Sequence, residues 1–180
     1  RAAEFWEEAL RLRDLLKFEF FFAEKESFLA EIRQELSLHD SRWEERLEGG
    51  ADAITGLLPR IRPFSSHRIL RPFLEAYRVV GDALERRDSA EPLDEAALLN
   101  QCLALGKQYS LQRHIKSAES VSKVLFANAV KLAKNRELTD PGGEDLAARR
   151  SAFAEEWREA IRRVDAMESL VRARHSGLID

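Results

Sequence analysis

Four histidines, His39, His67, His114 and His175, are the side chains best placed by type for proton transfer or metal binding near neutral pH. No two of them share the spacing of ligands on one helix face. Neither Cys-x-x-Cys nor His-Glu-x-x-His occurs, so no metal residue is assigned. Gly49-Gly50 and Gly142-Gly143 lack the surroundings of a phosphate loop and read as helix breaks, and there is no Gly-x-Ser-x-Gly elbow. Paired carboxylates such as Glu7-Glu8 and Glu155-Glu156 are adjacent in sequence. Neighbours on a helix do not face each other, so these pairs read as solvated faces. The single cysteine, Cys102, cannot form an internal disulfide and lies in an apolar stretch, where a small buried hydrophobe is expected. No catalytic residue and no cofactor follow from these patterns.

What stands out is local charge. The chain has 29 Lys and Arg against 32 Asp and Glu, a formal net charge of −3, which argues against a dedicated nucleic-acid binder. Between Leu105 and Arg136, however, Lys107, Arg113, Lys116, Lys123, Lys131, Lys134 and Arg136 face the single acid Glu119, a local charge of +6. A second cluster sets Arg60, Arg62, Arg68, Arg71 and Arg78 against Glu75. The plain expectation is solvated faces paired with acidic helices, notably 1–36. The sharper one is a surface for phosphates, anionic lipid or an acidic partner domain.

The elements that must carry these residues are helical. With 180 residues, 44% hydrophobic and 34% charged, the chain suits one domain or two small ones with a real core. Only eight Gly and five Pro leave too few turn residues for a β-sandwich. Apolar spacing predicts helix over 3–36 in two pieces, separated by Phe18-Glu19-Phe20-Phe21-Phe22. That patch reads as core aromatics where two helices meet, with a strand-like segment or a docking surface as alternatives. A linker is expected over 37–50, with Ser41-Arg42-Trp43-Glu44 as a capping box, and then a short helix at 51–58. Pro59 and Pro63 should bracket an extended stretch.

Further helices are expected at 65–87, from Asp94 to about Arg113, from Ser117 to about Arg136, and over about 144–174. The first of these should be capped by Ser65 or Ser66, with Pro72 at its first turn or at a kink. The helix after Ser117 is apolar on several sides and should be central. The buried stripe of the last should be Leu146, Phe153, Trp157, Ile161, Val164 and Leu170. The fold class is therefore all-α, a bundle of about six helices with a long C-terminal helix. No apolar run approaches the roughly 20 residues needed to span a bilayer. Residue 1 is Arg and the sole Met is Met167, which suggests a fragment or processed chain.

Four segments together resemble the C-terminal region of the large bacterial and mitochondrial glycerol-3-phosphate acyltransferases, the PlsB-like group. They are Leu15-Leu16-Lys17-Phe18-Glu19-Phe20-Phe21-Phe22, His67-Arg68-Ile69-Leu70-Arg71-Pro72-Phe73-Leu74-Glu75-Ala76-Tyr77, Leu105-Gly106-Lys107-Gln108-Tyr109 and Glu119-Ser120-Val121-Ser122-Lys123-Val124-Leu125-Phe126. Their order and spacing cover most of 10–136, and residues beyond Pro141 add little.

The resemblance implies a parent enzyme that moves a fatty acyl group from a thioester, acyl-CoA or acyl carrier protein, to the 1-hydroxyl of glycerol 3-phosphate. Its His-x4-Asp core, where an Asp-oriented His acts as general base, would lie upstream. Here only His175 and Asp180 have that spacing. They close the chain without the family's following motif and read as coincidence.

The implied role of residues 1–180 is a single helical accessory domain that docks on the catalytic domain at the cytoplasmic face of the membrane, as a peripheral protein. Arg68, Arg71, Lys107 and Arg113 are the candidate docking or lipid-headgroup face, because they are basic residues in or beside the resembling segments. Rival readings are a standalone helical adaptor, an isolated membrane-surface module, and the same domain of a dihydroxyacetone-phosphate acyltransferase.

Overall fold

A computed structural model describes residues 1–61, 66–142 and 144–177. The described residues are helical, with turns between the helices and no strand. The chain groups into two compact units, Arg1–Phe64 with Gly177–Asp180, and Ser65–Ser176.

The first unit holds α1 (Ala2–Leu15), α2 (Lys25–His39), α3 (Trp43–Glu48) and α4 (Ala51–Ile61). Its apolar centre includes Leu15, Leu16 and Trp43, with the Trp43 ring edge-on to Phe5 and Trp6 at 5.5 and 5.6 Å. The aromatic run falls in the turns between α1 and α2 and is not a strand. Phe22 meets Phe28 edge-on at 5.5 Å, beneath the Arg13 guanidinium, but no phenylalanine of the run is buried, so it does not supply core aromatics. Phe21 is 100% exposed.

Two local expectations fail in this unit. The capping box at Ser41 does not form: α3 has no side-chain cap, because Asp40 Oδ1 accepts the Arg42 amide at 2.9 Å and Glu44 is drawn to Arg33 at 3.0 Å. Pro59 does not end its helix either. It sits in the last turn of α4, where the missing amide removes only one ladder bond. Pro63 and Ser65 lie outside the described residues. The short helix break at Gly49-Gly50 is as expected, with Gly50 at φ +96°, a backbone conformation that favours glycine.

The second unit holds α5 (Ser66–Glu85), α6 (Glu95–Leu111), a 3-10 turn (Ala118–Ser120), α7 (Lys123–Asn135) and α8 (Glu144–His175). Its central element is α5, not α7: α5 packs against α6, α7, α8 and the 3-10 turn. Leu74, Tyr77, Val80 and Leu84 form its buried stripe, as their spacing requires. Ala76, Val79 and Ala83 are buried on the other sides. Small residues there allow close approach. A Cβ on Gly81 would stand 3.1 Å from the Ala154 Cα of α8.

α6 begins as its sequence requires, with Asp94 Oδ1 accepting from the amides of Ala96 and Ala97 at 2.9 and 3.3 Å. Ser117, in contrast, caps no long helix. The chain turns once as the 3-10 turn, breaks at Val121, and restarts at α7. Pro72 lies inside α5 rather than at its first turn and removes the ladder bond to the Arg68 carbonyl.

Along α8, Leu146, Phe153, Trp157, Ile161 and Val164 are buried as their stripe predicts, but Leu170 is not. At seven residues from Val164, Val171 takes the core position, and Leu170 is 48% exposed. No described helix is long and apolar enough to cross a membrane.

Candidate functional site: a basic cleft in the second unit

One cleft of about 540 Å³ opens where the first turn of α5, the segment between α6 and the 3-10 turn, and the C-terminal half of α8 converge. Each wall has a local cause. α5 starts at Ser66, so His67 and Arg68 fall in its first turn. α6 ends at Leu111, and Arg113 takes a positive φ of 59°, so the chain doubles back and the amides of His114 and Ile115 both bond to the Tyr109 carbonyl. α8 presents Asp165, Glu168 and Arg172, three and four residues apart and therefore on one face.

The floor is an ionic cluster. Arg71, almost fully buried, donates through Nη2 to Asp165 Oδ1 at 2.8 Å and Glu168 Oε2 at 2.9 Å, and lies 3.5 Å from Glu75. Lys116 Nζ reaches the same two carboxylates at 2.7 and 3.3 Å, and Arg172 also bonds Glu168. The hydrogen bond to Asp165 raises Lys116 above the ordinary lysine value, with burial opposing it. Burial would raise Asp165 and Glu168. The hydrogen bonds from Lys116 to both, from Arg71 to Asp165 and from Arg172 to Glu168 outweigh it, and both carboxyls sit below their usual range.

Arg68 and Arg71 thus line one cleft, while Lys107 on α6 and Arg113 after it lie outside its lining. Arg68, Lys107 and Arg113 are exposed and have no ion-pair partner among the described residues; Arg71 is saturated. Of the other basic residues, Lys116, Lys134 and Arg136 pair with acids of α6 and α8 rather than of 1–36, Arg78 pairs with Asp82 of its own helix, and Arg60 with Asp40 in the first unit. Lys134 meets Glu95 at 2.5 Å, and Arg136 meets Glu156 at 2.6 Å. Sequence reasoning missed Glu75, Asp165, Glu168 and Arg172. Their signal was present in Glu75, the lone acid in a basic run, and in the one-face spacing on α8. His175 and Asp180 have no described side chains. Among the described residues no three His, Cys, Asp or Glu side chains cluster as metal ligands.

A family model for the C-terminal region of glycerol-3-phosphate acyltransferase matches residues 1–142. The chain belongs to that family. The match takes in α1 to α7, and so two walls of the cleft; α8 lies beyond it. Proteins named as acyltransferase plsB1 in Mycobacterium bovis and Mycobacterium tuberculosis are 42% identical to this glycerol-3-phosphate acyltransferase C-terminal region over 167 residues. That is 92% of the chain and 27% of each relative, and it reaches into α8. The chain therefore spans about a quarter of the length of the curated relatives it matches. No solved structure matches it.

Proposed function

We propose that residues 1–180 are the accessory C-terminal region of a glycerol-3-phosphate 1-O-acyltransferase, docking on the catalytic domain of the same polypeptide at the cytoplasmic membrane face. The observation that carries this is the asymmetry of the match: nearly the whole chain aligns, at 42% identity, with about a quarter of each relative named as an acyltransferase. The acyl transfer itself, from an acyl thioester to the 1-hydroxyl of glycerol 3-phosphate, belongs to the catalytic domain. No described residue of this chain is assigned a catalytic step. The reading is supported by cations without an acidic partner among the described residues: Arg68, Lys107 and Arg113 keep their charge available for an acidic domain surface or anionic headgroups, and Arg71 holds the wall on which Arg68 stands.

The test replaces Arg68, Arg71, Lys107 and Arg113 with Ser in the full-length enzyme and measures acyltransferase activity and membrane partitioning. A companion variant spares Arg71, whose loss perturbs packing. Loss of either property in both variants supports the reading. If the companion variant retains both, these cations have no docking role.

A further inference from the structure

The cleft has donor capacity that its own acids do not use. Glu168 already accepts from Arg71, Lys116 and Arg172. Asp165 accepts from Arg71 and Lys116. Glu119, at the rim, accepts the Ser117 hydroxyl at 2.6 Å, and Glu75, behind Arg71, is taken by backbone amides and Ser120. Arg68 lines the cleft with no partner among the described residues, and Arg172, 75% exposed, shares its single carboxylate with two other cations.

Two further features face the same space. His67 lines the cleft at 4% exposure, and its buried Nδ1 has no hydrogen-bond partner among the described residues, an arrangement that folded proteins rarely leave without a ligand or solvent to answer it. His67 and Arg68 also stand in the first turn of a 20-residue helix, whose leading amides have no acceptor within the helix and whose dipole favours an anion.

We propose that this cleft binds a phosphate monoester, gripped by Arg68 and Arg172 over the α5 N-terminus, with His67 beneath. A phosphate monoester presents three acceptor oxygens and up to two charges, which suits forked guanidinium donors converging with helix amides better than a single carboxylate does. The cleft, at about 540 Å³, is of ligand-site size and exceeds what phosphate alone would fill. Ala118 and Val171 on its wall give an apolar surface for the organic part. The same chemistry is met in a free phosphate ester and in a lipid headgroup ending in a phosphomonoester. The site goes beyond the docking role and does not depend on it, because binding is measurable on this chain alone.

The test follows the His67 ring signals by NMR in the 180-residue chain during titration with inorganic phosphate and then methyl phosphate, at fixed ionic strength in chloride. A second arm measures co-sedimentation with phosphatidylcholine vesicles with and without phosphatidic acid. The wild type should show a saturable shift. The exposed-residue variant Arg68→Gln/Arg172→Gln should bind at least about tenfold more weakly, and Lys25→Gln, an exposed position on α2, should bind unchanged. Saturation by the soluble phosphates without vesicle binding identifies a free ester. Phosphatidic-acid-dependent sedimentation lost in the double variant identifies a headgroup. Absence of saturation in both arms, or equal binding by wild type and double variant, overturns the proposal, and neither result bears on docking to the catalytic domain.

Discussion

Glu75 and Ser120 lie 45 positions apart and share a 2.7 Å hydrogen bond inside the second unit, the Ser120 hydroxyl donating to Glu75 Oε2. The same carboxylate accepts the amides of Lys116 and Ser117, each at 3.0 Å. One buried side chain of α5 therefore fixes the whole segment that carries Lys116 into the cleft. It also explains why Ser117 does not cap a long helix: its amide is already engaged and its hydroxyl turns to Glu119.

Glu75→Gln should therefore lower stability by about 1–3 kcal/mol, since an amide nitrogen would face backbone donors that need an acceptor. Both variants remove one counter-charge of buried Arg71, but Glu75→Ala should cost more, about 3–5 kcal/mol, because it also leaves the Lys116 and Ser117 amides and the Ser120 hydroxyl with no acceptor. Urea unfolding checks this through the midpoint at unchanged slope. A midpoint for Glu75→Ala within error of wild type would remove Glu75 as the anchor of this segment.

The close approach of α5 and α8 makes a second test. A Cβ on Gly81 would press on the Ala154 Cα at 3.1 Å and the Trp157 ring at 3.4 Å, and a helix backbone yields less readily than a side-chain tip. Gly81→Val is expected to destabilise by about 1–3 kcal/mol, the usual range for overpacking, despite glycine's poor helix propensity. Thermal unfolding reads this directly, and a stabilised variant would show that the two helices are free to separate.

Cys102 is fully buried in α6, and desolvation pushes its thiol up to about 12. Because the thiolate is the nucleophile, the folded chain should react negligibly with a disulfide reagent at pH 8 and stoichiometrically once unfolded in urea. Rapid reaction of the native chain would place this face of α6 in solvent.

How much of this was legible in the sequence depends on what each residue answers to. Helix positions followed from apolar spacing, because a 3.6-residue period reports a buried face wherever one exists. Ends were less legible. Ser41-x-x-Glu44 has the letters of a capping box, yet Asp40 and Arg33 outcompete it through contacts no local pattern encodes. The centrality of α5 was hidden because Glu75 and Asp82, both buried, interrupt its apolar face. Of the cleft, the cations were visible as a charge cluster. Their partners were not, since pairing Arg71 with Asp165 closes a separation of 94 residues.

Acid should loosen the α5–α8 junction first. Asp165 and Glu168 are held below their usual values, so each binds fewer protons folded than unfolded. Their contribution is complete above the ordinary carboxylate range near pH 4 and is lost as pH falls below it. Partial exposure keeps it modest. Urea midpoints should fall between pH 5 and pH 3 by less in Asp165→Asn/Glu168→Gln than in wild type. Parallel curves would mean the cluster adds nothing to acid sensitivity.

Arg150 supplies the last test, because it occupies a core position while carrying a charge. Spaced with Leu146, Phe153 and Trp157, it falls on the buried stripe of α8 at 1% exposure. Its Nε donates to the Leu138 carbonyl at 2.9 Å and Nη1 to that of Asp88 at 3.4 Å, clamping two loops that also meet through the Gly142 amide and the Ser89 carbonyl. Desolvation, with the nearby charge of Arg87, lowers its pKa, so the charge itself is a cost the clamp must offset. Arg150→Met keeps the stem and removes that cost, and it should lose no more than about 1.5 kcal/mol. Arg150→Ala empties the site and should lose about 2–5 kcal/mol. Hydrogen exchange at the Gly142 amide should quicken in both, since neither replacement can bridge the loops. Equal losses for the two variants would mean that the loop carbonyls, rather than the packing of the stem, decide the stability of this end of the unit.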